Sequence, residues 1–330
     1  MRTLVYISII LTFAAWNKSE SKQHSVTKTT LGNLASDSSS RLNIIYTFDT
    51  PNDTTNNFYV TILPERQIKG TLILLSGFGE LPTRTLIETD IYKYASQAGY
   101  ITFIPALGDW SFFYCDDVSH QKLNQFIDTV FKKYNLPTKH FFIGGHSFGG
   151  VAAFQYTEQA YRPNSKLRRP AGVFGCDPPL DLERMYISMT TTDRPKKHPI
   201  SQNEDNYIAN LFQEIFKTNP RDNPKYFWKV SPFSRSDTSH SAIKLLVNVP
   251  LRVYNDPDIN WYIDNRYVDY KDMNVFDSAA MINWLKSMGN DKAELINCLG
   301  KGHRIKENIR HPHSWSIVDG KELIDWMNKY

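Results

Sequence analysis

The sequence predicts an α/β fold: a mostly parallel, doubly wound sheet with helices on both faces and a helical insertion. Three observations predict it. Short apolar runs alternate with segments of helical periodicity, which is the pattern of βαβ units. Several runs, such as Thr71–Leu75 and Tyr100–Pro105, are nearly continuous in apolar residues, as strands covered on both faces are. Finally, the glycine-rich stretch from Gly144 to Gly150 lies between a strand-like run and a helical one.

The elements follow in order. Leu42–Phe48 and Phe58–Leu63 read as two strands joined by the Asn/Asp/Thr turn at 51–57. Thr71–Leu75 is a buried strand ending at Ser76-Gly77-Phe78-Gly79, and a helix follows from Arg84 to Ala98. Tyr100–Pro105 is the next strand. In 117–134, Leu123, Phe126, Ile127, Val130 and Phe131 share one face at helical spacing. His140–Ile143 reads as a strand, Phe148–Tyr161 as a helix and Ala171–Gly175 as a strand. The alternation is then interrupted over 178–249, which has helical periodicity in Tyr207–Phe216 and is rich in aromatics: Tyr186, Tyr226, Phe227, Trp228 and Phe233. This is read as a lid insertion. The sheet resumes at Pro250–Tyr254, followed by a helix near Asp277–Met288, strand Ala293–Cys298 and a last helix near Lys321–Tyr330. There is no internal repeat.

Of the 330 residues, 38 are Lys or Arg and 34 Asp or Glu, a net charge of +4. That balance, without a basic run longer than three residues, gives no reason to expect a nucleic-acid partner. Three cysteines (Cys115, Cys176, Cys298) are too few for a disulfide framework, and the sequence does not say whether any two pair. Leu4–Trp16 is an uncharged apolar run preceded by Arg2. It is shorter than the ~20 residues a transmembrane helix needs and fits a cleaved signal peptide over 1–16, hence a secreted or periplasmic protein. Residues 17–40, rich in Ser, Thr and Lys, read as a flexible tether. This leaves 41–330 as one domain that includes the lid. The oligomeric state is not legible.

The chemistry-bearing motif is Gly144-Gly145-His146-Ser147-Phe148-Gly149-Gly150, a G-x-S-x-G pattern with a strand before it and a helix after it. This context suits a sharp turn that exposes a nucleophilic serine, Ser147, above the sheet edge. The small residues Gly145 and Gly149 let strand and helix approach each other, and the helix N-terminus favours developing negative charge.

With that elbow, the chain resembles the α/β-hydrolase superfamily, in element order over nearly all of Leu42 to Tyr330. Leu74-Leu75-Ser76-Gly77-Phe78-Gly79 resembles its oxyanion loop, with Ser76 where histidine is common. The resemblance implies an oxyanion hole made by the backbone N–H groups of Phe78 and Phe148. It also implies the order nucleophile, acid, histidine. The expected acid is Asp258, at the usual distance from the start of the Pro250 strand. Asp256 is second, and Asp177 is third because some members carry the acid one strand earlier.

Among nine histidines, those after the last strand fit this order. His313, in His311-Pro312-His313-Ser314-Trp315 ahead of the final helix, is the expected base, and His303 in Gly300-Lys301-Gly302-His303 is the alternative. His146 is read as packing under the elbow. His303, His311 and His313 cluster in sequence but lack the carboxylate or cysteine partners of a specific metal site, so neither a metal nor another cofactor is expected. The lid aromatics and Asp109–Tyr114 either line a substrate pocket or form the lid's own core. The implied activity is a serine hydrolase on a small acyl substrate, most simply a carboxylic ester hydrolase. A peptidase, or a non-catalytic binding protein of the same fold, is the alternative.

Overall fold

Eight strands form the main sheet. In the computed structural model, which describes residues 42–48, 58–106, 115–192 and 198–330, β1 (Asn43–Phe48) pairs antiparallel with β2 (Phe58–Leu63). β2 in turn pairs antiparallel with β4 (Tyr100–Pro105). From there the sheet is parallel: β4 with β3 (Gly70–Leu75), then β5 (Phe141–His146), β6 (Gly172–Cys176), β7 (Leu251–Asn255) and β8 (Ala293–Asn297). The expected signal peptide and tether, the expected 51–57 turn and Asp109–Tyr114 lie outside the described residues.

The continuous apolar strands are explained by two cores, one on each face. Ile73, Phe141 and Ile143 point to one side, against the helices Asp117–Lys133, Phe148–Tyr161 and Asn274–Ser287. Leu72, Leu74 and Phe142 point to the other, against Ile91–Gln97 and Gly320–Met327, where Trp315 and Trp326 are buried. Two boundaries differ from expectation. The helix expected over Arg84–Ala98 is two helices, Pro82–Glu88 and Ile91–Gln97. Thr89 between them is extended and its hydroxyl accepts the Ile91 N–H at 3.3 Å, a local bond that competes with continuing the helix. β5 runs on to His146, through two glycines, so the turn follows the strand at once.

Between β6 and β7 lie the helices Leu182–Thr190, Pro199–Phe216 and Pro224–Val230 and a short 3₁₀ turn at Ile243–Leu246. Phe212 stacks on Phe227 with centroids 5.9 Å apart, and Phe216 meets both edge-on. Phe227 and Phe233 are fully buried, so the insertion's aromatics are largely its own core. All three cysteines are buried, and none is in a disulfide. Among the described residues no helix is long and apolar enough to cross a membrane.

The insertion is tied down by a buried charge cluster. Arg184 bonds Asp277 through Nε at 2.9 Å and through Nη2. Asp181 caps the Leu182–Thr190 helix, accepting the N–H groups of Arg184 and Arg235 at 3.1 and 2.9 Å. Burial, then the charge of Asp277, pushes Asp181 up to about 7. A raised carboxyl stabilises the fold fully below its unfolded pKa of 3.8, and that contribution is lost as pH rises to about 7. The thermal midpoint of the parent should therefore fall relative to that of Asp181→Asn between pH 4 and 7, with a constant gap above. Parallel curves across that range would refute this.

Candidate active site

The serine, the aspartate paired with a histidine, and that histidine follow three strands of the parallel sheet at its carboxyl edge. Ser147 follows β5 directly, with φ +53° and ψ −126°, a conformation rare for residues other than glycine. Its N–H is held by Cys176 O at 2.9 Å. The glycines beside it are required by close approach. A Cβ on Gly149 would lie 2.3 Å from the carbonyl oxygens of Leu75 and Ser76, and one on Gly145 would lie 2.4 Å from the Gly149 carbonyl carbon. The elbow and the loop after β3 are thus in backbone contact. Phe78 and Phe148, the expected oxyanion residues, meet edge-to-face at 6.2 Å.

Asp177 follows β6, the neighbour of β5, in a left-handed conformation with φ +48°. Its Oδ2 accepts from His313 Nδ1 at 2.6 Å, and its Oδ1 accepts from Asn255 Nδ2 at 2.5 Å. Asn274 Nδ2 donates to its carbonyl at 2.9 Å. With Nδ1–H committed to Asp177, the imidazole lone pair of His313 is at Nε2. The acid first expected from the sequence lies elsewhere. Asp258 caps the helix Ile259–Arg266, accepting Trp261 N–H at 3.1 Å, and pairs with Arg310 at 2.8 Å. Asp256 is buried and holds the turn after β8 through Gly300 and Gly302 N–H, at 3.0 and 2.7 Å, with Arg310 at 2.9 Å. The carboxylate at His313 is therefore that of Asp177, because both β7 aspartates are consumed by backbone donors and Arg310.

His303 sits in a hairpin of β9 (His303–Arg304) and β10 (Ile309–Arg310), its Nε2 on Asn308 Oδ1 at 3.0 Å. His311 accepts from Arg266 at Nε2 (3.2 Å) and donates from Nδ1 to His313 O at 3.0 Å. Burial, then Arg304, His313 and Arg266, push His311 down to about 2, so it is neutral. The loop is pinned further by Ser314 Oγ on His311 O at 2.6 Å and by the Cys176 thiol on Ser314 O at 3.2 Å. These separate engagements fit a rigid histidine loop. Among the described residues no three metal-binding side chains converge.

His146 lies beneath His313, its ring 4.5 Å from that of His313 and 5.6 Å from Trp315. Its Nδ1 is 3.4 Å from Glu80 Oε2, which also accepts Gly77 N–H at 3.0 Å. Burial lowers the pKa of His146 against the pull of Glu80. Glu80 thus ties the loop before Phe78 to the residue before Ser147. Glu80, Asn255 and Asn274 were not foreseen. Nothing in their local sequence separates them from ordinary turn residues. Among the described residues the Ser147 hydroxyl has no hydrogen-bond partner; Ser–His bonds commonly tighten only with substrate present.

No protein-family profile matches the chain, and no curated protein is significantly similar in sequence. Solved structures are similar in fold. A fluorophosphonate-binding serine hydrolase F of Staphylococcus aureus superposes with a TM-score of 0.54 at 16% identity, over 87% of this chain and 98% of that one. Carboxyl esterase 2 of Tuber melanosporum gives 0.55 at 15% identity, over 96% and 95%. The chain has the α/β-hydrolase fold. An acylaminoacyl peptidase of Pyrococcus horikoshii shares it too, with a TM-score of 0.55 at 13% identity, covering 87% of this chain and 41% of the other. In this chain the elbow serine, Asp177 and His313 come in the order serine, aspartate, histidine.

Proposed function

We propose that the protein is a serine hydrolase acting on carboxylic esters through an acyl-enzyme. The observation that carries this is the 2.6 Å bond from His313 Nδ1 to Asp177, on a ring whose centroid is 4.5 Å from that of His146, the residue preceding the elbow serine. In this mechanism Ser147 Oγ attacks the acyl carbonyl and His313 Nε2 takes the hydroxyl proton. Asp177 holds the ring in the Nδ1–H tautomer and stabilises the imidazolium. His313 then returns the proton to the departing alkoxide, and water repeats the sequence to release the acid. The backbone N–H groups of Phe78 and Phe148 receive the oxyanion. Such a donor pair is supported by the backbone contact between Gly149 and the Leu75–Ser76 segment. One donor of this kind is worth about 10²–10³ in rate.

The shared fold of an esterase and a peptidase leaves the acyl leaving group as the finer question. A fluorophosphonate probe should label the purified protein at Ser147. A panel of chromogenic esters and aminoacyl amides should show ester turnover that Ser147→Ala abolishes. Labelling elsewhere, or none, would overturn the assignment. Turnover of amides alone would make it a peptidase, and labelling without turnover would favour a binding role. Export belongs to the same proposal. Mature protein recovered from the culture medium or periplasm should lack residues 1–16.

A further inference from the structure

Around the histidine loop stand four arginines, and three are neutralised. Arg84 pairs with Glu88 at 2.7 Å and with Glu307. Arg266 pairs with Glu204 at 2.8 Å, and Arg310 with Asp256 and Asp258 at 2.9 and 2.8 Å. The fourth, Arg304, is half-buried on β9, and among the described residues it has no side-chain hydrogen bond and no ion pair. On β9 it stands opposite Ile309 of β10, the strand that leads directly into His311 and His313. Glu80, Glu204, Arg266 and Glu307 all act on its charge, and it acts on His311. Glu80 contacts His146, next to Ser147, and His311 is bonded to His313.

The neighbouring carboxylates are already engaged. Glu204 faces Arg266, Glu307 faces Arg84, and Glu80 accepts from Gly77 and contacts His146. His311, neutral, already accepts from Arg266. A guanidinium held partly out of water with its N–H donors unbonded is costly. It also presents five donors in a planar fork suited to a bidentate carboxylate. Resting on the ester-hydrolase proposal, we infer that Arg304 is a recognition residue for a carboxylate carried by the substrate, so that the preferred substrates are esters bearing a free acid group beside the scissile bond. The three neutralised arginines hold the loops, and the fourth is left for the ligand.

The test uses matched esters with the purified protein. On the acyl side the pair is mono-4-nitrophenyl glutarate and 4-nitrophenyl pentanoate. On the alcohol side it is 4-acetoxybenzoate and 4-acetoxybenzamide. The expected result is a kcat/KM ratio of charged to neutral ester of at least tenfold in one pair. That ratio should collapse towards one in Arg304→Gln and partly survive in Arg304→Lys, which keeps the charge but not the fork. High salt should reduce the ratio in the parent. No charged preference in either pair, or an Arg304→Gln ratio equal to the parent's, would overturn the inference while leaving the hydrolase assignment intact.

A second readout does not need turnover. Calorimetric binding of glutarate and 4-hydroxybenzoate to Ser147→Ala should be seen for one of them, and should weaken at least tenfold when Arg304→Gln is added. Binding that is absent, or unchanged by the added substitution, counts against the inference. If binding behaves as expected but Ser147 is neither labelled nor productive, the hydrolase proposal fails and the carboxylate site stands.

Discussion

Replacing Asp177 by Asn should lower kcat by about 10⁴, the scale on which an amide in place of the triad carboxylate presents the wrong tautomer and leaves the imidazolium unsupported. Replacing Asp258 by Asn should leave kcat/KM near that of the parent. The contrast follows from what each carboxylate touches. Asp177 meets His313 Nδ1 at 2.6 Å, whereas Asp258 meets a helix N-terminus and Arg310. Asn is as good a helix cap as Asp, and Arg310 keeps Asp256 at 2.9 Å, so the Asp258 variant loses only one partly exposed ion pair. The histidines should divide in the same way. His313→Ala should lose activity as Ser147→Ala does, while His303→Ala removes a bond to Asn308 in a hairpin and should retain it. Steady-state kinetics on one chromogenic ester, with thermal melts to confirm folding, decides both. An Asp258→Asn variant that loses the larger share of kcat would reverse the assignment.

Much of the fold was legible because its signals are local. β3, β4 and β5 are apolar without alternation, and the two faces they cover are both packed. The elbow was legible for the same reason. A strand, two glycines, a serine and a helix make a sharp turn whether or not the rest of the chain is known. The acid was not legible, because it is chosen by partners far away in sequence. Asp177, Asp256 and Asp258 all follow strands at the same sheet edge, and only the contacts sort them. Gly300, Gly302 and Arg310 take the latter two, and Asn255 and Asn274 orient the first. The one local hint was position: Asp177 stands at the end of β6 as Ser147 stands at the end of β5, with His146 and Cys176 in register. The lid aromatics were undecidable for a related reason, since an aromatic-rich helix packs its own core as readily as it lines a pocket.

The largest stability effect should come from Arg184→Leu, at about 3–5 kcal/mol, the cost of leaving one member of a buried ion pair without its partner. Asp277 is fully buried beside Asp181, so the substitution strands two carboxylates that Arg184 had offset. The loss should therefore be greatest at high pH, where both are charged, and shrink as pH falls and they protonate. Adding Asp277→Leu should recover a substantial part of it, because two apolar side chains of suitable size often match a buried ion pair. Denaturant unfolding of the two single variants and the double variant, at pH 5 and pH 8, measures the coupling directly; equal losses at both pH values would contradict the charge argument. The network also reaches Asp177. Arg184 Nη2 bonds Asn274 Oδ1 at 3.4 Å, and Asn274 Nδ2 holds the Asp177 carbonyl at 2.9 Å. The carboxylate bonded to His313 is thus braced by the same arginine that fastens the insertion to the Asn274–Ser287 helix. Arg184→Leu should accordingly lower kcat even at temperatures where the variant is fully folded. The recovered stability of the double variant should not restore that rate, because neither leucine can hold Asn274.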